Sequence, residues 1–187
     1  MHIHIFGASG SGVTTLGLAL ADELGYSYFD ADSYFWEKSE VPFTIKRDPE
    51  QRNLSLLHDL SQTSNWILGG SIVQWGDEFP KLFDLTVFLL LPPDVRLERL
   101  KKREYERYGD IIFTDPERHQ KYNDFISWSS GYDDSTTQSS SGRGLGRTLK
   151  VHQDWAAKLS CPFLQITGDT TVIERVAQIS EFLKTLY

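Results

Sequence analysis

Short apolar runs alternate along this chain with longer stretches in which apolar residues recur every three or four positions. The first run, residues 2–6, precedes a stretch that places Leu16, Leu20 and Leu24 on one helical face. The other apolar runs cover residues 26–30, 65–68, 85–91 and 162–167. Run 85–91 (LTVFLLL) is continuous, which is typical of a strand buried on both faces of a parallel sheet. The pattern therefore predicts five strands alternating with helices in a parallel, right-handed α/β sheet.

Helix boundaries follow from local signals between these runs. Gly25 is expected to end the first helix, residues 48–50 (DPE) to begin another, and residues 92–94 (PPD) to begin a basic one. The last helix carries Val172, Val176, Ile179 and Phe182. We expect one domain over residues 1–187 with a lid insertion at about 108–147. Within it, residues 133–146 have the composition of a loop, as either a passive connector or an anion-seeking lid.

Composition narrows the classes of function. The chain has 187 residues, 40% of them hydrophobic and 24% charged, with a formal net charge of −7. This charge argues against broad electrostatic binding of nucleic acid. No apolar run approaches the roughly 20 residues of a membrane span, and no basic segment followed by an apolar one begins the chain. Cys161 is the only cysteine, which excludes an internal disulfide and fits a cytoplasmic protein. A monomer and a homodimer both stay open.

The strongest candidate for chemistry is the glycine-rich stretch 7–15 (GASGSGVTT), directly after the first strand. Its glycines, Gly7, Gly10 and Gly12, let backbone N–H groups approach an anion closely, and the helix that follows adds free N–H groups and a positive dipole end. Thr14 stands where the P-loop motif has a hydroxyl for Mg²⁺. Val13 stands where that motif has lysine.

Valine at this position leaves two alternatives for the loop's function. Either cations elsewhere replace the lysine, with Arg103, Arg107, Arg143 and Arg147 as candidates, or the reaction is slow or absent. A dinucleotide-binding turn is a further reading of Gly10 and Gly12, since Asp30 or Asp32 lies about 20 residues on. Thr15 then occupies the third glycine position, so the P-loop reading fits better. A glycine turn without a ligand is the remaining alternative.

Read in order, these motifs resemble the small P-loop kinases of the adenylate kinase and shikimate kinase superfamily. The resemblance extends through residues 30–32 (DAD), 69–71 (GGS), an arginine-rich helix at 97–103, residues 147–150 (RTLK) and 168–169 (GD). It implies a three-layer α/β/α fold with a five-stranded parallel sheet and an arginine-rich lid. It also implies Mg-ATP as the cofactor and a nucleotide or small molecule as the acceptor.

The resemblance also implies roles for individual residues. Asp32, Arg103 and Arg147 are expected to be catalytic, and Thr14 and Asp30 to hold the metal. The expected nucleotide-binding residues are Gly7, Ser9, Gly10, Ser11, Gly12, Val13, Thr14, Thr15, Arg99 and Arg143. The expected acceptor-binding residues are Asp30, Arg47, Arg52, Gly69, Gly70 and Ser71.

Several of these residues also have alternative roles, most of them structural. Asp32 is either a general base for an acceptor hydroxyl, a turn acid, or a Mg²⁺ partner through water. Arg47 and Arg52 either grip the acceptor or form surface ion pairs. The aromatic residues Phe35, Trp36 and Trp75 line an acceptor pocket or belong to the core, and His2 and His4 are expected to be structural. The leading hypothesis is a kinase, and the alternative is a nucleotide-binding protein with little or no catalysis.

Overall fold

The computed structural model describes residues 1–40, 42–134 and 147–186. Its five strands are β1 (His2–Gly7), β2 (Ser27–Asp30), β3 (Trp66–Gly69), β4 (Leu85–Leu90) and β5 (Phe163–Thr167). They form one sheet in the order β2-β3-β1-β4-β5, and every neighbouring pair is parallel. The predicted three-layer α/β/α fold with five parallel strands is therefore confirmed.

Eight α-helices connect and follow the strands within the described residues. They are α1 (Val13–Leu24), α2 (Ala31–Phe35), α3 (Pro49–Ser61), α4 (Pro93–Tyr108), α5 (Ile111–Thr114), α6 (Pro116–Ser130), α7 (Leu149–Ala156) and α8 (Val172–Lys184). Short 3-10 helices cover Phe79–Leu82 and Gly131–Asp133. None of these described helices is both long and apolar enough to cross a membrane.

The central strand β1 supplies side chains to two separate cores, because successive residues of a strand point to opposite faces. Ile3 and Ile5 are fully buried in a core that also includes Leu16 of α1 and Ile179 of α8. On the other face, His4 stacks on Phe83 with ring centroids 4.7 Å apart. Phe83 belongs to the second core, which also includes α3 residues such as Leu56.

One region differs from the sequence-based expectation. The loop expected after β2 instead contains helix α2, because Asp30 caps it by accepting the Asp32 N–H at 2.9 Å. Helices α5 and α6 lie within the range of the predicted lid insertion, which stays a prediction. Among the aromatics, Trp75 is buried in the second core. His2 stacks on Trp66 with centroids 4.3 Å apart, in keeping with its expected structural role.

Candidate functional site

One large cavity of about 680 Å³ lies at the carboxyl ends of the strands. Its walls are the loop after β1, the ends of β2 and β3, helices α4 and α6, the start of α7 and the turn before α8. Ligands in open α/β sheets bind at this edge, next to the point where the strand order reverses. Strand β1 lies between β3 and β4; β2 and β3 lie on one side of it, and β4 and β5 on the other. The glycine-rich loop that follows β1 is therefore at the reversal.

The glycine-rich loop has the backbone geometry of an anion cradle. Gly10 and Gly12 adopt φ angles of 83° and 91°, in the left-handed region that side chains disfavour. A Cβ atom on Gly10 would lie 2.7 Å from the carbonyl oxygen of Arg96, so only glycine fits there. Helix α1 begins at Val13, and Gly12 before it has no side-chain oxygen to cap the first N–H groups. These N–H groups therefore remain free for an anion.

The expected metal-holding pair is close together in space. The Thr14 hydroxyl donates to Asp30 Oδ2 at 3.2 Å, and both residues line the cavity. Hydroxyl and carboxylate oxygens suit Mg²⁺, which usually takes one or two protein ligands and completes its shell with phosphates and waters. Among the described residues, no cluster of three or more His, Cys, Asp or Glu forms a metal cage. The donor set thus fits a magnesium ion that arrives with a nucleotide.

Asp32 and Arg147 form an ion pair in the wall of the cavity. The Arg147 Nη1 atom lies 3.8 Å from Asp32 Oδ1, and the Asp32 side chain keeps 52% of its surface exposed to the open cleft. Desolvation by the surrounding walls raises the pKa of Asp32, while Arg147 and, more weakly, Arg103 pull it down. Asp30 raises it further as a like charge. Asp32 is therefore a carboxylate that accepts a proton more readily than an ordinary surface aspartate.

Helix α4 presents four arginines to the cavity, namely Arg96, Arg99, Arg103 and Arg107. Arg99 forms an ion pair with Asp169 in the turn before α8. Burial lowers the pKa of Arg103, whose guanidinium is 3.6 Å from Glu104. The predicted residue Arg143 lies outside the described residues, so its nucleotide-binding role stays a prediction.

Two arginines that touch the loop were missed by the sequence analysis as contributors to it. Arg96, only 1% exposed, donates to the carbonyl of Ser9, and Arg175 of α8, only 2% exposed, donates to the carbonyl of Ser11. A signal for Arg175 was present, because it lies three residues after Val172 and four before Ile179, on the apolar face of the helix. A charged residue at such a position needs a buried partner.

A hydrogen-bonded chain of three side chains forms part of the cavity wall. The Ser71 hydroxyl lies 3.0 Å from Nε2 of His152, and the Tyr132 hydroxyl lies 2.8 Å from Nδ1 of the same ring. Burial lowers the pKa of His152 to about 3, with Arg147 as a second cause. The imidazole is therefore neutral, and it links the turn after β3 to Tyr132 and helix α7. His152 and Tyr132 were not predicted as site residues.

The remaining predicted acceptor residues divide into two groups. Gly70 and Ser71 line the cavity, whereas Gly69 lies behind it, against the Tyr28 ring. The predicted residues outside the lining also include Ser11, Arg47 and Arg52.

Each arginine in this second group has a partner of its own. Arg47 pairs with Glu37 at 3.3 Å, and Arg52 stacks its guanidinium 3.9 Å above the Trp75 ring. The acceptor roles of both arginines stay predictions.

Comparison with known proteins agrees with this geometry. Residues 3–120 match the model of the AAA_18 family, which is described as an AAA domain. The chain belongs to the AAA_18 family. This AAA_18 protein is 39% identical over 184 residues to the uncharacterized protein YqaC of Bacillus subtilis (strain 168), with 98% of each chain covered. It is also 32% identical over 117 residues to a shikimate kinase of Bacteroides thetaiotaomicron, which covers 57% of this chain and 67% of that one.

Solved structures with the same fold include kinases of two kinds. The crystal structure of shikimate kinase from Bacteroides thetaiotaomicron aligns with a TM-score of 0.57 and 21% identity, covering 98% of both chains. Deoxyadenosine kinase from M. mycoides with bound dATP aligns with a TM-score of 0.55 and 15% identity, covering 98% of this chain and all of that one. The predicted membership in the superfamily of small P-loop kinases is confirmed.

Proposed function

We propose that this AAA_18 protein is a phosphotransferase that moves the γ-phosphoryl group of Mg-ATP to a nucleotide or small metabolite. One observation carries the proposal. A single cavity combines a loop whose glycines adopt left-handed backbone angles, the Thr14–Asp30 pair and the Asp32–Arg147 pair. Phosphoryl transfer requires these three parts, which hold the phosphates, the metal ion and the acceptor.

The donor side of the reaction uses backbone more than side chains. The N–H groups of Gly10, Gly12, Val13 and Thr14 would hold the phosphates, since that of Ser11 already donates to the Ala8 carbonyl. The oxygens of Thr14 and Asp30 would orient Mg²⁺. A bound magnesium ion supplies positive charge to the β- and γ-phosphate oxygens. Arg103 and Arg107 also line the cavity, and their side chains add positive charge on the side of the predicted lid.

The acceptor side centres on Asp32. Its raised pKa suits a group that takes the proton of an acceptor hydroxyl while that oxygen forms its bond to the γ-phosphorus and ADP leaves. Arg147 forms an ion pair with this carboxylate. Ser71 adds a hydroxyl whose orientation is fixed by His152. An alcohol acceptor uses all of these groups, whereas a phosphate acceptor needs no base.

A second candidate function is a nucleotide-binding protein with little or no catalysis. Val13 favours it, because the lysine that it replaces normally neutralises charge on the transferred phosphate. Losing one charge-stabilising donor costs on the order of 3–4 kcal/mol in transition states of other enzymes. The backbone cradle would still bind the nucleotide.

The test incubates the full chain with Mg-ATP and a panel of nucleosides, nucleotides, sugars and hydroxy acids, and measures ADP release. We expect one acceptor to raise ADP release above background, and Asp32→Asn to lower that rate by roughly a hundredfold or more while Mg-ATP still binds. Asp154→Asn is the matched control, since Asp154 pairs with Lys150 on the exposed face of α7. Nucleotide binding without transfer to any acceptor would support the second candidate. No nucleotide binding in calorimetry would refute both.

A further inference from the structure

Two buried guanidinium groups hold the phosphate loop through its carbonyl oxygens. Arg175 Nη1 donates to the carbonyl oxygen of Ser11 at 2.8 Å, and Arg96 Nη1 donates to that of Ser9 at 3.3 Å. Neither contact belongs to regular secondary structure, because each connects a distant helix to the loop.

Each of these contacts acts on a peptide unit whose N–H belongs to a loop glycine. The Ser11 carbonyl shares its peptide unit with the N–H of Gly12, and the Ser9 carbonyl shares its unit with the N–H of Gly10. In a trans peptide the oxygen and the hydrogen point in opposite directions. An arginine that holds the oxygen therefore also sets the direction of the N–H, and a charged donor at the oxygen makes that N–H a stronger donor.

The two arginines differ in how their charge is balanced. Arg96 forms an ion pair with Asp133. Arg175 instead donates Nε to the Thr170 hydroxyl at 3.0 Å and Nη2 to the Gly168 carbonyl at 3.3 Å. Within the parts of the chain that the structure describes, no carboxylate lies within ion-pairing distance of Arg175. Burial and the neighbouring Arg99 lower the pKa of Arg175, and Asp169 offsets part of this from beyond ion-pairing distance. The buried charge is thus only partly balanced, so an anion in the adjoining loop would balance it further.

The position of Arg175 places its charge next to the site of the missing lysine. A Cβ atom built on Gly12 would lie 3.3 Å from Arg175 Nη1 and 3.8 Å from Arg99 Nη1. Gly12 directly precedes Val13, and Arg99 is already paired with Asp169. Two arginines and one carboxylate thus leave a net positive charge at this point of the loop, and Arg175 is the arginine without an ion pair among the described residues.

We propose that Arg175, together with Arg96 at the preceding loop glycine, supplies through the loop backbone the positive charge that Val13 does not provide. Arg175 is thus a positioning residue, because it acts on the phosphates through the peptide units of the loop. The consequence is selective binding of nucleotides with two or more phosphates by a P-loop without its lysine. This inference rests on the proposed nucleotide site.

Calorimetric titration of the full chain with Mg-ATP, and separately with magnesium pyrophosphate, tests the role of Arg175. A hydrogen bond from a charged group contributes about 1.5–3 kcal/mol, so Arg175→Gln is expected to weaken both ligands by roughly ten- to a hundredfold. Arg175→Lys keeps the charge and is expected to recover most of the affinity. Arg118→Gln is the matched control, because Arg118 is mostly buried against Tyr108 and does not line the cavity.

Substitutions at Val13 test the same charge without touching a buried residue. Val13→Lys alone is expected to raise Mg-ATP affinity by less than about threefold, because the charge is already present. In the Arg175→Gln background, Val13→Lys is expected to restore most of the lost affinity. The single variant Val13→Lys remains informative if Arg175→Gln does not fold, since Val13 lies at the start of α1 and is only partly buried against the core.

Several outcomes would overturn the inference. Equal affinities of the wild type and Arg175→Gln would show that Arg175 has no role in phosphate binding. A loss of affinity for Mg-ATP but not for pyrophosphate would also contradict the inference, because Arg175 would then act on the base. A gain of about tenfold or more from Val13→Lys alone would show an unfilled charge deficit. If the wild type binds neither ligand, the proposed function fails together with this inference, whereas the other outcomes leave that function standing.

Discussion

Acidification from pH 7 to pH 5 should destabilise the protein through its buried histidine at position 152. The His152 ring is 1% exposed and lies between the Ser71 and Tyr132 hydroxyls, with Arg147 as the nearby positive charge. A proton on this ring would add a second positive charge to a buried site. The native state therefore keeps the ring neutral.

The size of the effect follows from the two pKa values of this group. The pKa of His152 falls from 6.5, its ordinary value, to about 3 in the folded protein. Stability from a neutral buried histidine is fully present above pH 6.5 and is lost progressively as the pH falls toward 3. At pH 5 the unfolded chain is 1.5 pH units below its pKa and binds the proton, which at 1.36 kcal/mol per unit costs the folded state about 2 kcal/mol.

The assay is urea unfolding of the wild type and of His152→Gln at pH 7 and at pH 5. Glutamine still offers a donor and an acceptor but cannot take the proton. We expect the free energy of unfolding to change between the two pH values by about 2 kcal/mol less in the variant than in the wild type. The pKa of His4 also falls to about 3, so part of the pH dependence persists in the variant.

A second histidine variant separates the effect of burial from the other effects of low pH on stability. His58 is exposed on α3, and His58→Gln is expected to keep the wild-type difference between the two pH values. If His152→Gln loses as much stability on acidification as the wild type, the ring is protonated without penalty. The reasoning from burial would then be wrong.

Three further predictions concern stability, each measured by urea or thermal unfolding. Gly17→Ala should destabilise the protein by about 1–3 kcal/mol, because the new methyl group would lie 2.3 Å from the Tyr28 ring, and Tyr28→Ala should relieve most of that cost; equal costs in both backgrounds would refute the clash. Thr171→Ala should cost about 1 kcal/mol and lower the melting temperature by roughly 2–4 °C, since Thr171 and Glu174 form a capping box at α8; an unchanged melting temperature would mean that water replaces the cap. Phe88→Ala should cost about 3–5 kcal/mol, because Phe88 is 1% exposed and stacks on a neighbouring ring; a cost below about 1 kcal/mol would mean that the core collapses around the gap.

The strands and main helices were predictable from sequence because their signals are local. A continuous apolar run marks β4, and residues 48–50 mark the start of α3, where Asp48 accepts from the N–H groups of Glu50 and Gln51. The glycine loop was predictable for the same reason, since the left-handed angles of Gly10 and Gly12 depend on the residue type itself. Helix α2 was missed because its five residues are too few for a periodic pattern.

The site was only partly predictable, because its residues come from distant parts of the chain. The family resemblance assigned Thr14, at the start of α1, and Asp30, at the end of β2, to one metal site. Their proximity was therefore expected. Nothing local to Ser71 indicated His152, which lies 81 residues away. The two meet only because α7 packs its His152 ring against Phe6 of β1 and Phe88 of β4.

The sequence by itself determined that a phosphate loop follows the first strand and that its lysine is absent, since both depend on residue identity at fixed spacing. The tertiary structure decided where positive charge reaches that loop. Arg175 is 164 residues from Ser11 along the chain, and only the packing of α8 against α1 brings its guanidinium to the loop carbonyl. Burial then excludes water from this contact, which strengthens the electrostatic effect of the Arg175 charge on the loop.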